Sequence, residues 1–159
     1  MWSVQRSAET KASPTLIWSI LVDTSCWYEW IEGVEFSTIH GPVKEGTWGT
    51  IKGRNGRRTH FIISEVQPGR FVVTRSRLPL AWISYVFDII KTPDGTIVVH
   101  RIEVTGPLSY LYGRLMTKKL ESKAASNLSR LIAYAQECMD IGKTKAPYAH
   151  KPSFREIQI

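Results

Sequence analysis

Hydrophobic positions at the start of the chain change their spacing after about ten residues. Residues 2–10 alternate between two sets of side chains, and this period of two is typical of a half-buried β-strand. Ser13 and Pro14 then form a helix start signal, with a capping hydroxyl followed by proline in the first turn. The apolar stripe that follows predicts a helix from Pro14 to about Val22.

A second short helix is predicted directly after the first. Residues 23–25 are Asp, Thr and Ser, which are good capping residues. Trp27, Trp30 and Ile31 then share one helical face, and Gly33 ends the segment. Two short helices therefore lie between the first strand and the rest of the chain.

From residue 34 the pattern is that of successive strands joined by tight turns. Asn55-Gly56, Pro68-Gly69 and Pro93-Asp94-Gly95 are strong turn signals, and such short links require antiparallel neighbours. The six predicted strands are Val34–His40, Thr47–Gly53, Arg57–Val66, Arg70–Arg77, Ala81–Ile90 and Thr96–Thr105.

A long amphipathic pattern follows Gly106-Pro107. Its apolar stripe continues without proline or glycine from Gly113 to Met139, which predicts a helix of about 25 to 30 residues. Residues 140–159 have no clear period and are expected to form a tail. We therefore expect one domain over residues 1–139.

Composition and motifs narrow the class of protein. The hydrophobic fraction is 43% and the charged fraction 22%, as in an ordinary globular domain. No segment has about 20 consecutive apolar residues, and no signal sequence is recognisable, so a cytoplasmic location is expected. Cys26 and Cys138 make no metal-binding pattern, and phosphate-loop and dinucleotide motifs are missing, so neither a metal nor a cofactor is predicted.

The net charge of +7 is unevenly distributed. Residues 44–77 hold eight Lys or Arg against two acids, whereas residues 1–43 hold two against five. An anionic group bound through basic residues 52–58 would explain this asymmetry, and so would a solvated basic edge of the sheet. Nucleic acid is disfavoured because the aromatic residues are predicted inside and nucleic-acid-binding motifs are missing.

The order of elements and the local motifs together resemble a known superfamily. The motifs are Ser13-Pro14 with Trp18, Asp23 with Trp30, Gly41-Pro42 with Gly46-Thr47, Glu65-Val66 with Pro68 and Arg70, Asp94-Gly95-Thr96, and Gly106-Pro107-Leu108. Over about residues 2–138 the chain resembles the START and plant pollen-allergen superfamily, also called SRPBCC, and within it the bacterial polyketide cyclase and dehydrase group. These motifs are caps, turns and packing residues, so the resemblance carries a fold but no catalytic set.

The resemblance implies an α+β helix-grip fold. In this fold a curved, seven-stranded antiparallel sheet wraps around the long C-terminal helix, and an elongated apolar cavity remains between them. Trp30 would then either close one end of the sheet or shape the entrance for a ligand.

Charged neighbours indicate which strand residues point toward such a cavity. Arg101 and Glu103 should face water, which turns His100 and Ile102 inward. The fourth strand is ambiguous, and we favour the set that keeps Glu65 outside. The predicted cavity-lining residues are His60, Ile62, Ile83, Tyr85, Phe87, His100, Ile102, Tyr112, Leu115 and Trp30.

Arg75 and Arg77 are expected on the outer face, because an unpaired buried arginine is costly; facing inward, they would instead be anion receptors. An inward histidine at position 60 or 100 has three open roles: a structural hydrogen bond, a hydrogen bond to a ligand, or proton transfer.

Three functions compete at this point. The leading hypothesis is binding of a small hydrophobic or amphipathic molecule, lipid-like or polyketide-like, in the cavity. The second is a polyketide cyclase, aromatase or dehydratase using the same cavity, with unknown catalytic residues. The third is a basic surface module for an acidic partner or a membrane.

Overall fold

The computed structural model describes residues 1–144. A 3-10 turn at Thr24–Cys26 separates the two short helices. The elements in chain order are β1 (Trp2–Thr10), α1 (Pro14–Val22), α2 (Trp27–Trp30), β2 (Val34–Ile39), β3 (Trp48–Gly53), β4 (Arg58–Gln67), β5 (Phe71–Leu78), β6 (Ala81–Thr92), β7 (Gly95–Thr105) and α3 (Ser109–Thr144).

The seven strands form one antiparallel sheet in the order β1-β7-β6-β5-β4-β3-β2. A loop at residues 40–47 joins β2 to β3, short turns join β3 through β7 in sequence, and the two short helices carry the chain from β1 at one edge to β2 at the other. The curved sheet and the long terminal helix make a helix-grip fold, which confirms the predicted α+β architecture.

Local signals placed most elements accurately. Helix α1 begins at Pro14 because the Ser13 hydroxyl accepts a hydrogen bond from the backbone N–H of Leu16 at 3.1 Å. Every predicted strand lies within two residues of its observed bounds.

Helix α3 is longer than predicted. It has 36 residues and continues to Thr144, so residues 140–144 are helical and the predicted tail began too early. Gly142 is compatible with a helix interior at modest cost, and the first proline after the helix start is Pro147. The rest of the predicted tail, residues 145–159, lies outside the described residues.

The predicted orientation of β4 is wrong. Phe61 and Ile63 are buried in the core, whereas His60 is exposed on the opposite face. The prediction assumed strict alternation in order to keep Glu65 outside, but the pairing with β5 shifts register between Ile63 and Glu65. This irregularity lets Ile63 face inward while Glu65 remains exposed.

The core has two parts. The larger is built around α1, α2 and the inner face of the central strands, and the smaller lies between β1, β6, β7 and the first half of α3. Because α3 packs on β1 and β7 at one side of the sheet, the space beside β3 to β6 is not filled by the helix. No helix in residues 1–144 is long and apolar enough to cross a membrane.

Candidate ligand-binding cavity

A cavity of about 300 Å³ lies between the inner face of the sheet and the three helices. Its volume is within the range of small-molecule sites. The wall is formed by Leu21, Trp27, Trp30, Ile31, Val34, Ile51, Arg57, Thr59, Val72, Thr74, Ser76, Arg77, Leu78, Ile83, Tyr85, Phe87, Met116, Lys119, Leu120, Lys123 and Asn127.

Aromatic rings form the buried end of the cavity. Trp30 is 1% exposed, and its indole meets the ring of Phe87 edge to face with the centroids 5.5 Å apart. Trp27, one helical turn earlier, packs on Phe61 with the centroids 5.2 Å apart. Helix α2 is therefore held against the sheet by rings, so its tryptophans fill the core and also form part of the cavity wall.

Helix α3 contributes a mixed face to the cavity. Met116, Lys119, Leu120, Lys123 and Asn127 follow one another at intervals of one, three or four residues, so they lie on the same side of the helix. The side chains on this side of the helix become more buried along the chain. Lys119 is exposed, Lys123 is half-buried and Asn127 is buried.

Lys123 reaches across the cavity wall to Tyr85 on β6. Its Nζ lies 3.4 Å from the Tyr85 hydroxyl oxygen and 5.1 Å from the centre of the ring. This cation-π arrangement holds the ammonium at the surface of the cavity.

Two buried polar atoms of the wall have no hydrogen-bond partner among the described residues. They are Trp30 Nε1, a donor, and Asn127 Oδ1, an acceptor, on side chains that are 1% and 3% exposed. Almost no surface of either atom is exposed, so a group inside the cavity does not reach them, and each unmet hydrogen bond costs about 1–3 kcal/mol of stability.

The structure brings four of the ten predicted cavity residues together. Trp30, Ile83, Tyr85 and Phe87 all contribute to the wall. The three residues on β6 follow the predicted alternation, since Asp88 faces the other side of the strand.

His100 and Ile102 are completely buried, but neither belongs to the cavity wall. The rings of His100 and Phe87 are stacked with their centroids 4.0 Å apart, and Phe87 forms the wall at this level. Because α3 packs directly on β7, no space remains in front of this strand. The predicted inward orientation holds, while the predicted contact with the cavity is wrong.

His100 is held as a neutral imidazole. Its Nδ1 lies 3.0 Å from the carbonyl oxygen of Val86 and donates to it, and Nε2 has no partner among the described residues. Burial is the main reason why the pKa of His100 is lowered from 6.5 to about 4. The hydrogen bond to Val86 raises this pKa, and the positive charge of Lys123 lowers it further.

The remaining predicted residues lie away from the cavity. His60 and Ile62 are on the outer side of β4, where His60 Nδ1 lies 3.2 Å from Thr50 Oγ1. Tyr112 packs against the smaller core cluster, and Leu115 is 75% exposed. Leu115 precedes the cavity-lining Met116 by one residue, and one residue is about 100° of helical rotation, which turns its side chain to solvent.

The sequence prediction missed the polar part of the wall. Arg57, Thr59, Lys119, Lys123 and Asn127 line the cavity and were not among the predicted cavity residues. The spacing of the last three, at four-residue intervals along α3, was the available signal, because it places them on one side of the helix.

The two arginines of β5 differ in position. The Arg75 guanidinium lies on the outer face, 5.2 Å from the centre of the Trp82 ring, and donates to Thr105 Oγ1 at 3.3 Å. Arg77 pairs with Trp82 in the strand register and therefore also belongs to the outer face. Arg77 nevertheless borders the cavity. The pairing of β4 with β5 ends at Ile62 and Arg75, so the part of β5 that carries Arg77 is not paired with β4.

Comparison with known proteins agrees with this architecture. One similar structure is StfQ, a di-domain ARO/CYC protein from the steffimycin biosynthetic pathway, with a TM-score of 0.68 and 17% identity over 85% of this chain. This chain spans 50% of that protein. The protein TTHA0849 from Thermus thermophilus has a TM-score of 0.66 and 14% identity, covering 85% of this chain and 97% of its own.

A third similar structure is protein CV1439 from Chromobacterium violaceum, with a TM-score of 0.60 and 15% identity over 84% of this chain and 96% of its own. At these identities the likeness concerns the fold. No curated protein matches the sequence. The family model described as polyketide cyclase/dehydrase and lipid transport matches residues 1–136. The chain therefore belongs to the polyketide cyclase/dehydrase and lipid transport family of the SRPBCC superfamily.

Proposed function

We propose that this protein binds a small hydrophobic or amphipathic molecule in the cavity beneath α3. The observation that carries the proposal is the unfilled volume of about 300 Å³ with buried aromatic and aliphatic walls. The family description, which includes lipid transport, supports the same function.

Desolvation supplies the affinity. Enclosing about 300 Å² of apolar ligand surface contributes on the order of 7 kcal/mol at about 25 cal/mol per Å². The loss of translational and rotational freedom on association reduces this value, so micromolar dissociation constants are expected.

Binding of the neutral dye 1-anilinonaphthalene tests the proposal. We expect saturable fluorescence enhancement with one dye per chain, because the dye enters an apolar, water-poor space. Thr74→Trp should abolish the enhancement, since Thr74 lines the cavity and a tryptophan there would fill it. Val73→Trp is the matched control, because Val73 lies next to it on the opposite face of β5.

The proposal fails if the folded wild-type chain shows no saturable enhancement, or if Val73→Trp and Thr74→Trp reduce it equally. Native mass spectrometry of the purified protein provides a second readout, in which a co-purifying small molecule should be lost in Thr74→Trp and retained in Val73→Trp.

A cyclase or dehydratase activity is the second candidate, and the Tyr85–Lys123 contact favours it. A hydroxyl and an ammonium 3.4 Å apart on the cavity wall are able to orient and polarise a carbonyl of a bound guest. Tyr85→Phe should then remove turnover of a poly-β-ketone thioester while leaving dye binding intact. Unchanged turnover in this variant would count against Tyr85 as the catalytic group.

A further inference from the structure

The charges on the cavity wall are all of one sign. The wall includes Arg57, Arg77, Lys119 and Lys123, and it includes no Asp or Glu among the described residues. An unfilled apolar space bordered by cations alone has a positive potential, which favours an anionic group at that border.

These cations are not neutralised by neighbouring acids. Within residues 1–142, Lys52 pairs with Glu35 and Arg101 with Glu103, and none of the four cations of the wall forms an ion pair there. Lys123 contacts Tyr85, which carries no compensating negative charge. An anion bound here would gain charge-assisted hydrogen bonds without displacing a resident carboxylate.

The polarity of the wall changes along α3. Lys119 is exposed, Lys123 is half-buried and Asn127 is buried, and the distance along the helix from Lys119 to Asn127 is about 12 Å. The cationic side chains therefore occupy the open end of the cavity, and Asn127 lies toward its buried end.

Trp30 belongs to the same buried end as Asn127. Helix α2 and the residues just after it are tied to α3 at this level, because Arg130 donates to the Glu29 carbonyl at 3.5 Å and Ser126 Oγ donates to the Glu32 carboxylate at 2.9 Å. The unpartnered Trp30 Nε1 donor and Asn127 Oδ1 acceptor thus come from two adjoining helices. Both atoms are covered by neighbouring groups, so this end of the wall presents an apolar surface to a guest.

We infer that the guest is an amphipathic anion: an apolar body about 12 Å long that points toward the Trp30–Asn127 end, with a carboxylate or similar oxyanion at the Lys119–Lys123 end. This inference rests on the proposed function and specifies its ligand class. Arg57, at the start of β4, contributes to the same positive border from the opposite wall.

Matched ten-carbon ligands test the inference by displacement of 1-anilinonaphthalene. Decanoate should bind about tenfold more tightly than decanol at low ionic strength, and the preference should shrink as salt is added. Decylammonium should bind more weakly than decanol. Equal or tighter binding of decanol or decylammonium would overturn the assignment of an anion.

Variants identify the cations responsible. Lys119→Gln and Arg57→Gln should each reduce the preference of decanoate over decanol several-fold without weakening decanol binding. Lys118→Gln and Arg54→Gln are the matched controls, because they remove the same charges from neighbouring positions outside the cavity wall. If the control variants lose the preference for decanoate equally, the preference comes from the net charge of the protein, and the assignment of an anion site to the cavity wall is wrong.

The apolar character of the buried end is tested with ω-hydroxydecanoate. Burying its terminal hydroxyl against an apolar wall should weaken binding about tenfold relative to decanoate. Binding as tight as that of decanoate would overturn this orientation of the guest. If the dye itself binds saturably but these preferences are absent, the inference fails while the proposed function stands; if no ligand enters, the proposed function fails.

Discussion

His100 combines complete burial with a ring nitrogen that has no partner in residues 1–142. Its burial followed from the sequence, because Arg101 and Glu103 must face solvent and so turn His100 inward. The separation of His100 from the cavity could not be predicted from the sequence, because it depends on the stacking of the His100 ring with Phe87 on a neighbouring strand. A role for His100 in direct contact with the guest is therefore not supported.

The low pKa of His100 predicts a specific loss of stability in mild acid. As pH falls, the unfolded chain takes up the proton near pH 6.5, whereas the folded chain does so near pH 4. Stability is thus independent of this group above pH 6.5 and decreases below it. The expected loss between pH 7 and pH 5 is about 2 kcal/mol, measured by urea unfolding.

His100→Gln is the control for this prediction, because an amide retains a donor for the Val86 carbonyl and does not titrate. The variant should show a flatter stability profile over this pH range. A profile as steep as that of the wild-type protein would assign the acid sensitivity to other groups.

Asn127 carries a buried polar atom that lowers the stability of the folded chain. Its Oδ1 is buried without a partner among the described residues, and a leucine of similar shape would remove that cost. Asn127→Leu should therefore raise the free energy of unfolding by about 1 kcal/mol in urea titrations. A less stable variant would show that the amide is satisfied, for example by water in the cavity.

At the scale of elements, helix α3 is fixed to the sheet by a glycine. A Cβ atom at Gly113 would overlap the indole ring of Trp2 on β1. Gly113→Ala should destabilise the protein by about 1–3 kcal/mol through overpacking, despite a gain of about 1 kcal/mol in helix propensity. Thermal or urea unfolding measures the change.

Gly142→Ala is the matched control on the same helix, because nothing lies within 4 Å of an added Cβ there. It should be neutral or slightly stabilising. If Gly113→Ala is as well tolerated as Gly142→Ala, then α3 does not require close contact with Trp2.

Element boundaries were predictable where a local signal decides them. Ser13 and Pro14 fix the start of α1, and turn residues fix the hairpins. The orientation of β4 was not predictable from alternation, because one register shift between Ile63 and Glu65 changes which side chains can face inward. The end of α3 was missed because the apolar period stops at Met139, whereas the helix continues to Thr144 without it.

At the scale of the whole molecule, the sequence predicted a cavity but placed it partly under the wrong strands. Residues on β7 were expected in its wall, yet α3 packs on β1 and β7 and leaves the space beside β3 to β6. Where a helix rests on a sheet depends on contacts between distant parts of the chain. The hydrophobic pattern of each element gives its buried side and not the position of its neighbour.

A cavity that binds a guest only when the chain is folded must couple binding to stability. At a free ligand concentration about 100 times the dissociation constant, the folded state gains about 2.7 kcal/mol. For a domain of this size each kcal/mol raises the melting temperature by about 2–4 °C, so decanoate should raise it by about 5–10 °C. Val73→Trp should retain this shift, whereas Thr74→Trp, which fills the cavity, should lose it. Equal shifts in the two variants would mean that decanoate binds at the surface, because only a ligand enclosed beneath α3 competes with a side chain at position 74.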